Sequence, residues 1–349
     1  MAGAGQPFYM PLLWPVGNVA IALSSGPDVK VPKPTASAQL DLIGHLTSLC
    51  AASRSFLLAC LIIYGFYDGW DYPAFGRAKT LEFSWIWPII ARDVVATWVI
   101  CGCWDFLLYG GFGSKALKQK LSKFKINPVY PSMEQIRHDA IATTIASLTA
   151  AALEIVFCHL WCIGVFPKFE PRLAAQPLHN LVWATTITHW RIPHFWAVHR
   201  LMHPWKTTAI PDIDRLLYKH VHAQHHKSYN PTAFSGTNMH PLESTLYYSA
   251  ALIAVVFGCH PAIVLGCIID CGVGAWLGHD GFQWPGSGDY FHMLHHAHFD
   301  CNYGAMHVPI DKWLGTFISC KEDLRKVWGD KVAGEEANET PVHPPGKSD

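Results

Sequence analysis

Residues 84–110 read SWIWPIIARDVVATWVICGCWDFLLYG, a run longer than the ~20 residues that a bilayer-spanning helix needs. Similar apolar stretches occupy 42–67, 140–166 and 179–198. Arg54, Arg92, Asp93, Asp105, Glu154 and Arg191 fall within or beside these stretches. Charge at such depth is costly, so these side chains are expected to face the bundle interior, to pair, or to mark the ends of spans. The composition agrees with a bilayer protein. Of 349 residues, 50% are hydrophobic and 15% charged, whereas soluble chains carry about a quarter charged residues. A formal net charge of zero argues against nucleic acid as a partner, because phosphate binding needs a basic surplus. Many of the eleven cysteines sit inside apolar runs without zinc-ribbon spacing, and they read as small buried hydrophobes.

These stretches set the organisation. Residues 1–41 form an irregular, Pro/Gly-rich N-terminal segment, 42–198 a transmembrane helical region of about four spans, and 331–349 a disordered tail. The loop 111–139 carries Lys115, Lys118, Lys120, Lys123, Lys125 and Arg137, which places it in the cytosol by the positive-inside rule. The fourth stretch then returns the chain to the cytosol near His199. A fifth apolar stretch, 246–278, is interrupted by Gly258, Pro261 and Gly266 and is flanked by histidine clusters. If the flanks meet, this stretch is a re-entrant hairpin of two half-helices, which is tolerated where the backbone break is buried in protein. The expected fold is therefore all-α: a helical membrane bundle with a cytosolic histidine-rich cap over residues 199–330.

Histidine is the unusual residue. Sixteen of the 21 lie between His189 and His307. They form three boxes: His199-Arg-Leu-Met-His203, His222-Ala-Gln-His225-His226 and His292-Met-Leu-His295-His296. On a helix, positions i, i+3 and i+4 share a face, so each box can aim its imidazoles at one point. Neutral imidazole is a good ligand for divalent first-row metals. Eight such ligands exceed what one tetrahedral zinc uses, and two metals are the natural count. His240 and His279, lying between the boxes, are further candidate ligands. Glu243 and Asp280 stand beside them as carboxylates that could orient imidazole N–H groups, and Asn302 and Tyr303 as hydrogen-bonding partners of the ligands or of a substrate. Sites next to membrane spans, with two metals and no evident nucleophile, suggest O2-dependent lipid chemistry. Such chemistry requires a metal that changes oxidation state, hence iron, with zinc as a substitute in a preparation. A membrane zinc hydrolase is the rival of another class, but HExxH is absent; an inactive structural relative is a second, but all three boxes are complete.

These motifs resemble the fatty acid hydroxylase/sterol desaturase superfamily. The likeness includes His199–Trp205, Leu217–His222, Asn230–Gly236 and Met239–Glu243. His279–Phe282 and His295–Gly304 are most similar to the sterol C-5 desaturase branch. The resemblance implies metal ligands at His199, His203, His222, His225, His226, His292, His295 and His296, with His240 and His279 matching recurrent histidines. It further implies two irons, O2 as co-substrate, and a separate electron donor such as cytochrome b5 and its reductase. The location implied is the endoplasmic reticulum in a eukaryote or the inner membrane in a bacterium. The expected activity is hydroxylation or desaturation of a membrane lipid, with sterol-like chemistry the first choice. A sphingolipid or fatty-acyl hydroxylase and a sterol methyl oxidase are the alternatives within the superfamily. Arg191-Ile192-Pro193-His194 and Cys301 depart from the usual pattern and bear on substrate choice.

Overall fold

The computed structural model describes residues 42–67, 76–127, 129–204, 213–283, 289–305 and 308–319. The expected N-terminal segment 1–41 and tail 331–349 lie outside the described residues. Four long helices dominate: α1 (Leu42–Phe66), α2 (Phe83–Gly110), α4 (Met133–Cys162) and α5 (Pro177–Leu201). The short α3 (Lys115–Ser122) follows α2, and the short α6 (Ile213–His220) comes after α5. Among the described residues there is no strand, only an isolated bridge between Lys125 and Phe282.

Local sequence explains the helix ends. Gly111 closes α2 in the left-handed conformation. Ser132 caps α4 by accepting from the Gln135 amide at 3.2 Å, with Glu134 in the first turn. Pro177 occupies the first turn of α5, where its missing N–H costs nothing. By length and composition, Phe83–Gly113 and Met133–Cys162 are long and apolar enough to cross a membrane. Leu57, Leu61, Trp87, Val99, Leu148 and Leu181 are exposed on the four long helices, so the bundle presents an apolar exterior.

The charges inside the bundle pair. The Arg92 guanidinium donates to both Glu154 oxygens, at 3.0 and 2.6 Å, and to Asp93 at 2.9 Å. The Tyr67 hydroxyl donates to Glu154 at 2.5 Å. Arg191 pairs with Asp270, and Asp105 accepts from the Ala233 amide at 2.8 Å. Apart from Arg92–Asp93, which lies within α2, each of these contacts ties one element to another, so the polar residues fix how the apolar helices sit together.

The segment expected as a hairpin is helical in two parts. α7 (Pro241–Tyr248) continues through the 3-10 turn Ser249–Ala251 into α8 (Leu252–Val256), and α9 (Pro261–Gly274) follows. Gly258 breaks the path at φ +63°, a conformation that a side chain disfavours. His260 then caps α9 by accepting from the Ala262 amide at 3.1 Å. α9 packs against α1, with Ile63, Leu265 and Ile268 wholly buried.

Glu154 accepts from two elements inside a dry bundle. Removing one partner of such a pair strands the other charge, at a cost of about 3–5 kcal/mol. Glu154→Ala is therefore expected to lower the unfolding midpoint of the detergent-solubilised protein markedly, as scanning calorimetry would record; an unchanged midpoint would show that Arg92 is held by other partners.

Candidate metal centre

Nine of the ten candidate histidines come together. His199 lies in the last turn of α5 and His203 just beyond its end. The second box occupies the 3-10 segment His222–Lys227 rather than an α-helix. The third box lies on α10 (Asp289–His298), and His279 follows the 3-10 turn Ala275–Gly278. All nine are buried, none more than 7% exposed. They form two groups in which the ligand atoms lie within 4.8 Å of one another: His199, His203, His222, His226 and His295; and His225, His279, His292 and His296. The second and third boxes are each divided between the groups. The groups adjoin, with the rings of His226 and His296, one from each group, 4.9 Å apart.

The hydrogen bonds decide which nitrogen faces inward. His199 Nδ1 donates to the Tyr303 carbonyl at 2.6 Å, His295 Nδ1 to the Cys301 carbonyl at 2.6 Å, and His279 Nδ1 to the Ala275 carbonyl at 2.8 Å. A carbonyl can only accept, so in these neutral rings Nε2 carries a lone pair. His222 Nδ1 lies 2.7 Å from Glu243 Oε1. The Nε2 atoms crowd together: His199 and His226 each lie 3.1 Å from His222, and His203 lies 3.3 Å from His226. In the smaller group, His292–His296 and His225–His279 are separated by 3.1 and 3.3 Å. His295 Nε2 is buried with no hydrogen-bond partner. Lone pairs held this close repel unless a cation lies among them. Metal–nitrogen bonds of about 2.0–2.1 Å, at octahedral to tetrahedral angles, give spacings of this size. The residues thus fit a pair of divalent ions.

Electrostatics agree. Burial, reinforced by neighbouring imidazoles, pushes His203, His222, His225, His226, His292, His295 and His296 well below the usual histidine value. His199 and His279 are pushed down to about 4, mainly by burial, with their carbonyl partners opposing the shift. Neutral rings are what a metal requires of its ligands.

His240 lies outside both groups. Its Nδ1 accepts from the Leu242 amide at 3.1 Å and caps α7. Asp280 accepts from Trp104 Nε1 at 3.0 Å and from the Phe282 amide at 2.8 Å. Asn302, at φ +54°, donates to the Phe291 and Ile318 carbonyls, which holds the Cys301 and Tyr303 carbonyls towards their imidazoles. Two carboxylates escape sequence reasoning. Asp311 accepts from the Tyr303 and Gly304 amides at 2.9 and 2.8 Å and from Thr316 Oγ1 at 2.6 Å, and so clamps the same loop. Asp139, on α4, accepts from Ser228 and Ser235 hydroxyls at 2.9 and 2.7 Å and from Asn238 Nδ2 at 2.9 Å. It fixes the chain that leaves the second box. No local spacing marks either residue, because their partners are brought to them by the fold. Gly236 allows this chain to lie against the turn that presents His279; a Cβ there would stand 2.5 Å from the Ala275 carbonyl carbon.

The chain's residues 183–316 match the family model described as fatty acid hydroxylase, and all nine clustered histidines fall within that range. Among curated proteins, the chain is 30% identical to lathosterol oxidase of Rattus norvegicus over 166 residues, which are 44% of this chain and 49% of that protein. It is 24% identical to cholesterol 25-hydroxylase of Homo sapiens over 258 residues, 68% of this chain and 80% of the relative. It is 27% identical to sphinganine C4-monooxygenase 2 of Arabidopsis thaliana over 134 residues, 35% of this chain and 48% of the relative. The chain thus spans about half the length of the lathosterol oxidase it matches. No solved structure matches it significantly.

Residues that orient metal ligands typically affect metal affinity 10–100-fold. Asp311→Ala is expected to weaken metal binding by about that factor, read by competition with a chelator; unchanged affinity would remove Asp311 from the account. The depressed imidazoles also set a pH dependence. A group whose folded pKa lies below its unfolded one binds its proton more readily unfolded, so its stabilising contribution is full above about 6.5 and falls with pH. The metal-free protein should therefore lose stability steadily from pH 6.5 down to about 4, measured by thermal unfolding; a flat profile would contradict the buried neutral rings.

Proposed function

We propose that the chain is an O2-dependent diiron oxidoreductase that hydroxylates or desaturates a C–H bond of a membrane lipid, a reading supported by the match of residues 183–316 to the fatty acid hydroxylase family model. The observation that carries this reading is the pair of adjoining, buried, all-imidazole groups. His199, His203, His222, His226 and His295 would hold one ion, and His225, His279, His292 and His296 the other. Iron, when bound, supplies the redox chemistry with O2 that zinc lacks. The protein's own part is geometry: carbonyls and Glu243 hold the rings by Nδ1, and burial keeps water from the reacting centre.

A lipid substrate is supported by the relatives named and by an apolar groove on α5, the helix whose last turn carries His199. Leu181, Val182, Thr185, Trp190, Pro193 and Ile253 line it. Sterol-like specificity rests on the lathosterol oxidase and cholesterol 25-hydroxylase likenesses; the sphinganine C4-monooxygenase likeness supports a sphingolipid as the second candidate. The electron donor is a separate protein of the cytochrome b5 kind. In the proposed placement, the four long helices span the bilayer and the metal groups lie on the cytosolic side. The basic segment after α2 supports that side, because it meets the cap: the Ile126 amide donates to the Gly281 carbonyl at 3.0 Å and the Gln283 amide to the Phe124 carbonyl at 2.7 Å.

The test is metal content and O2 uptake on anaerobically purified, iron-loaded protein, with His295→Ala and His296→Ala removing one ligand from each group. The wild type should hold about two irons per chain, one for each group, and should consume O2 in a reductant- and lipid-dependent way. Both variants should lose at least about 100-fold in rate. Retention of zinc through iron reconstitution, with no O2 uptake on any sterol or sphingolipid, would contradict the proposal.

A further inference from the structure

The segment between α2 and α4 has a charge pattern unlike the rest of the chain. No acidic residue occurs from Phe106 to Met133, while Lys115, Lys118, Lys120, Lys123 and Lys125 all fall there. The structure separates their uses. Lys125 is turned inward, donating to the Asn127 and Val129 carbonyls at 2.6 and 2.8 Å and to Asn230 Oδ1 at 3.0 Å. The other four are exposed on and beside α3, and Lys118 lies 4.8 Å over the Tyr130 ring. On its opposite side α3 is anchored to the protein: Leu121 is fully buried and Leu117 packs against the same cluster, with Leu108 and Phe124.

Apolar side chains are set among the lysines. Phe106, Phe112, Val129 and Met133 are more than half exposed. Phe112 is held at φ +47°, a conformation uncommon for a bulky residue, between Gly111 and Gly113 and directly at the end of an apolar helix of spanning length. Lysines interleaved with exposed aromatic and aliphatic groups at such a position suit the headgroup layer, where stems and rings enter the apolar side and ammonium groups stay in the polar layer.

We propose that α3 and the Gly111–Gly113 turn form a docking surface for the headgroups of anionic glycerophospholipids, with Lys115, Lys120 and Lys123 supplying the charge and Phe112 inserting among the lipid chains. The pairing of residues 124–126 with 281–283 places this surface at the histidine end of the bundle. The contact therefore seats the metal-bearing cap at the membrane surface. The inference rests on the membrane placement proposed above but not on the reaction.

The test uses the full chain, iron-loaded, reconstituted in nanodiscs of pure phosphatidylcholine and in discs of equal parts phosphatidylcholine and phosphatidylserine. The lipid that stays with the protein after gentle detergent extraction is measured by mass spectrometry. The wild type is expected to retain phosphatidylserine severalfold over its bulk share, the preference shrinking at high salt. Each juxtamembrane lysine is worth roughly fivefold in attraction to an anionic surface, so Lys115→Gln, Lys120→Gln and Lys123→Gln together should return the ratio to bulk, whereas the three Lys→Arg changes should preserve it. Equal iron content in all three proteins would show that the fold is retained. Bulk lipid ratios in the wild type, or a preference undiminished in the Gln variant, would overturn the proposal. So would a wild type with bulk ratios whose Gln variant loses turnover with a protein electron donor but not with a chemical reductant, since the surface would then dock a protein. Failure to enter discs of either composition would overturn the membrane placement itself.

Discussion

A buried imidazole that gives its Nδ1 proton to a carbonyl has one lone pair left, and everything in the cap turns on where that lone pair points. Tyr303, Cys301 and Ala275 supply such carbonyls to His199, His295 and His279, and Glu243 stands against His222. The nearest Nε2 atoms stand 3.1 Å apart in each of two adjoining groups. Without a cation, this arrangement is repulsive and would open as soon as its supports weakened. The supports are therefore as important as the ligands, and they come from all over the chain.

Two carboxylates bear much of that support. Asp311 gathers two backbone amides and a hydroxyl to close the loop whose carbonyls orient two imidazoles. Asp139 does the corresponding work from α4 for the chain after the second box. The bundle below is fixed by polar contacts of the same kind, in which Arg92, Glu154 and Tyr67 join three helices. Apolar helices slide easily on one another, and a few buried polar contacts select one arrangement. The cap is carried by a bundle whose arrangement these buried polar contacts select.

Much of this could be read in the chain before the fold was known. The stretches expected at 42–67 and 84–110 are the helices Leu42–Phe66 and Phe83–Gly110, because long apolar runs have few alternatives to helix. α4 starts earlier than the apolar run at 140, since Ser132 and Glu134 make a polar N-terminus that hydropathy does not register. The box spacing identified the histidines that cluster, but it did not show that His225 leaves its neighbours for His279 and His292, because the 3-10 path of the second box sends adjacent rings apart. His240 has the neighbours of a ligand in sequence yet caps a helix instead. Asp139 and Asp311 were illegible for a plain reason: the partners named above lie from five to 99 residues away, and only the folded chain brings them within reach.

In the proposed function, two ions lie side by side, each held by imidazole nitrogen. X-ray absorption at the iron edge of the reconstituted protein tests it most directly. The expected spectrum shows nitrogen or oxygen neighbours at about 2.1 Å and the outer-shell scattering of several imidazole rings per iron, with about two irons per chain. Sulfur neighbours from any of the cysteines, or a single iron with only one or two imidazoles, would contradict it.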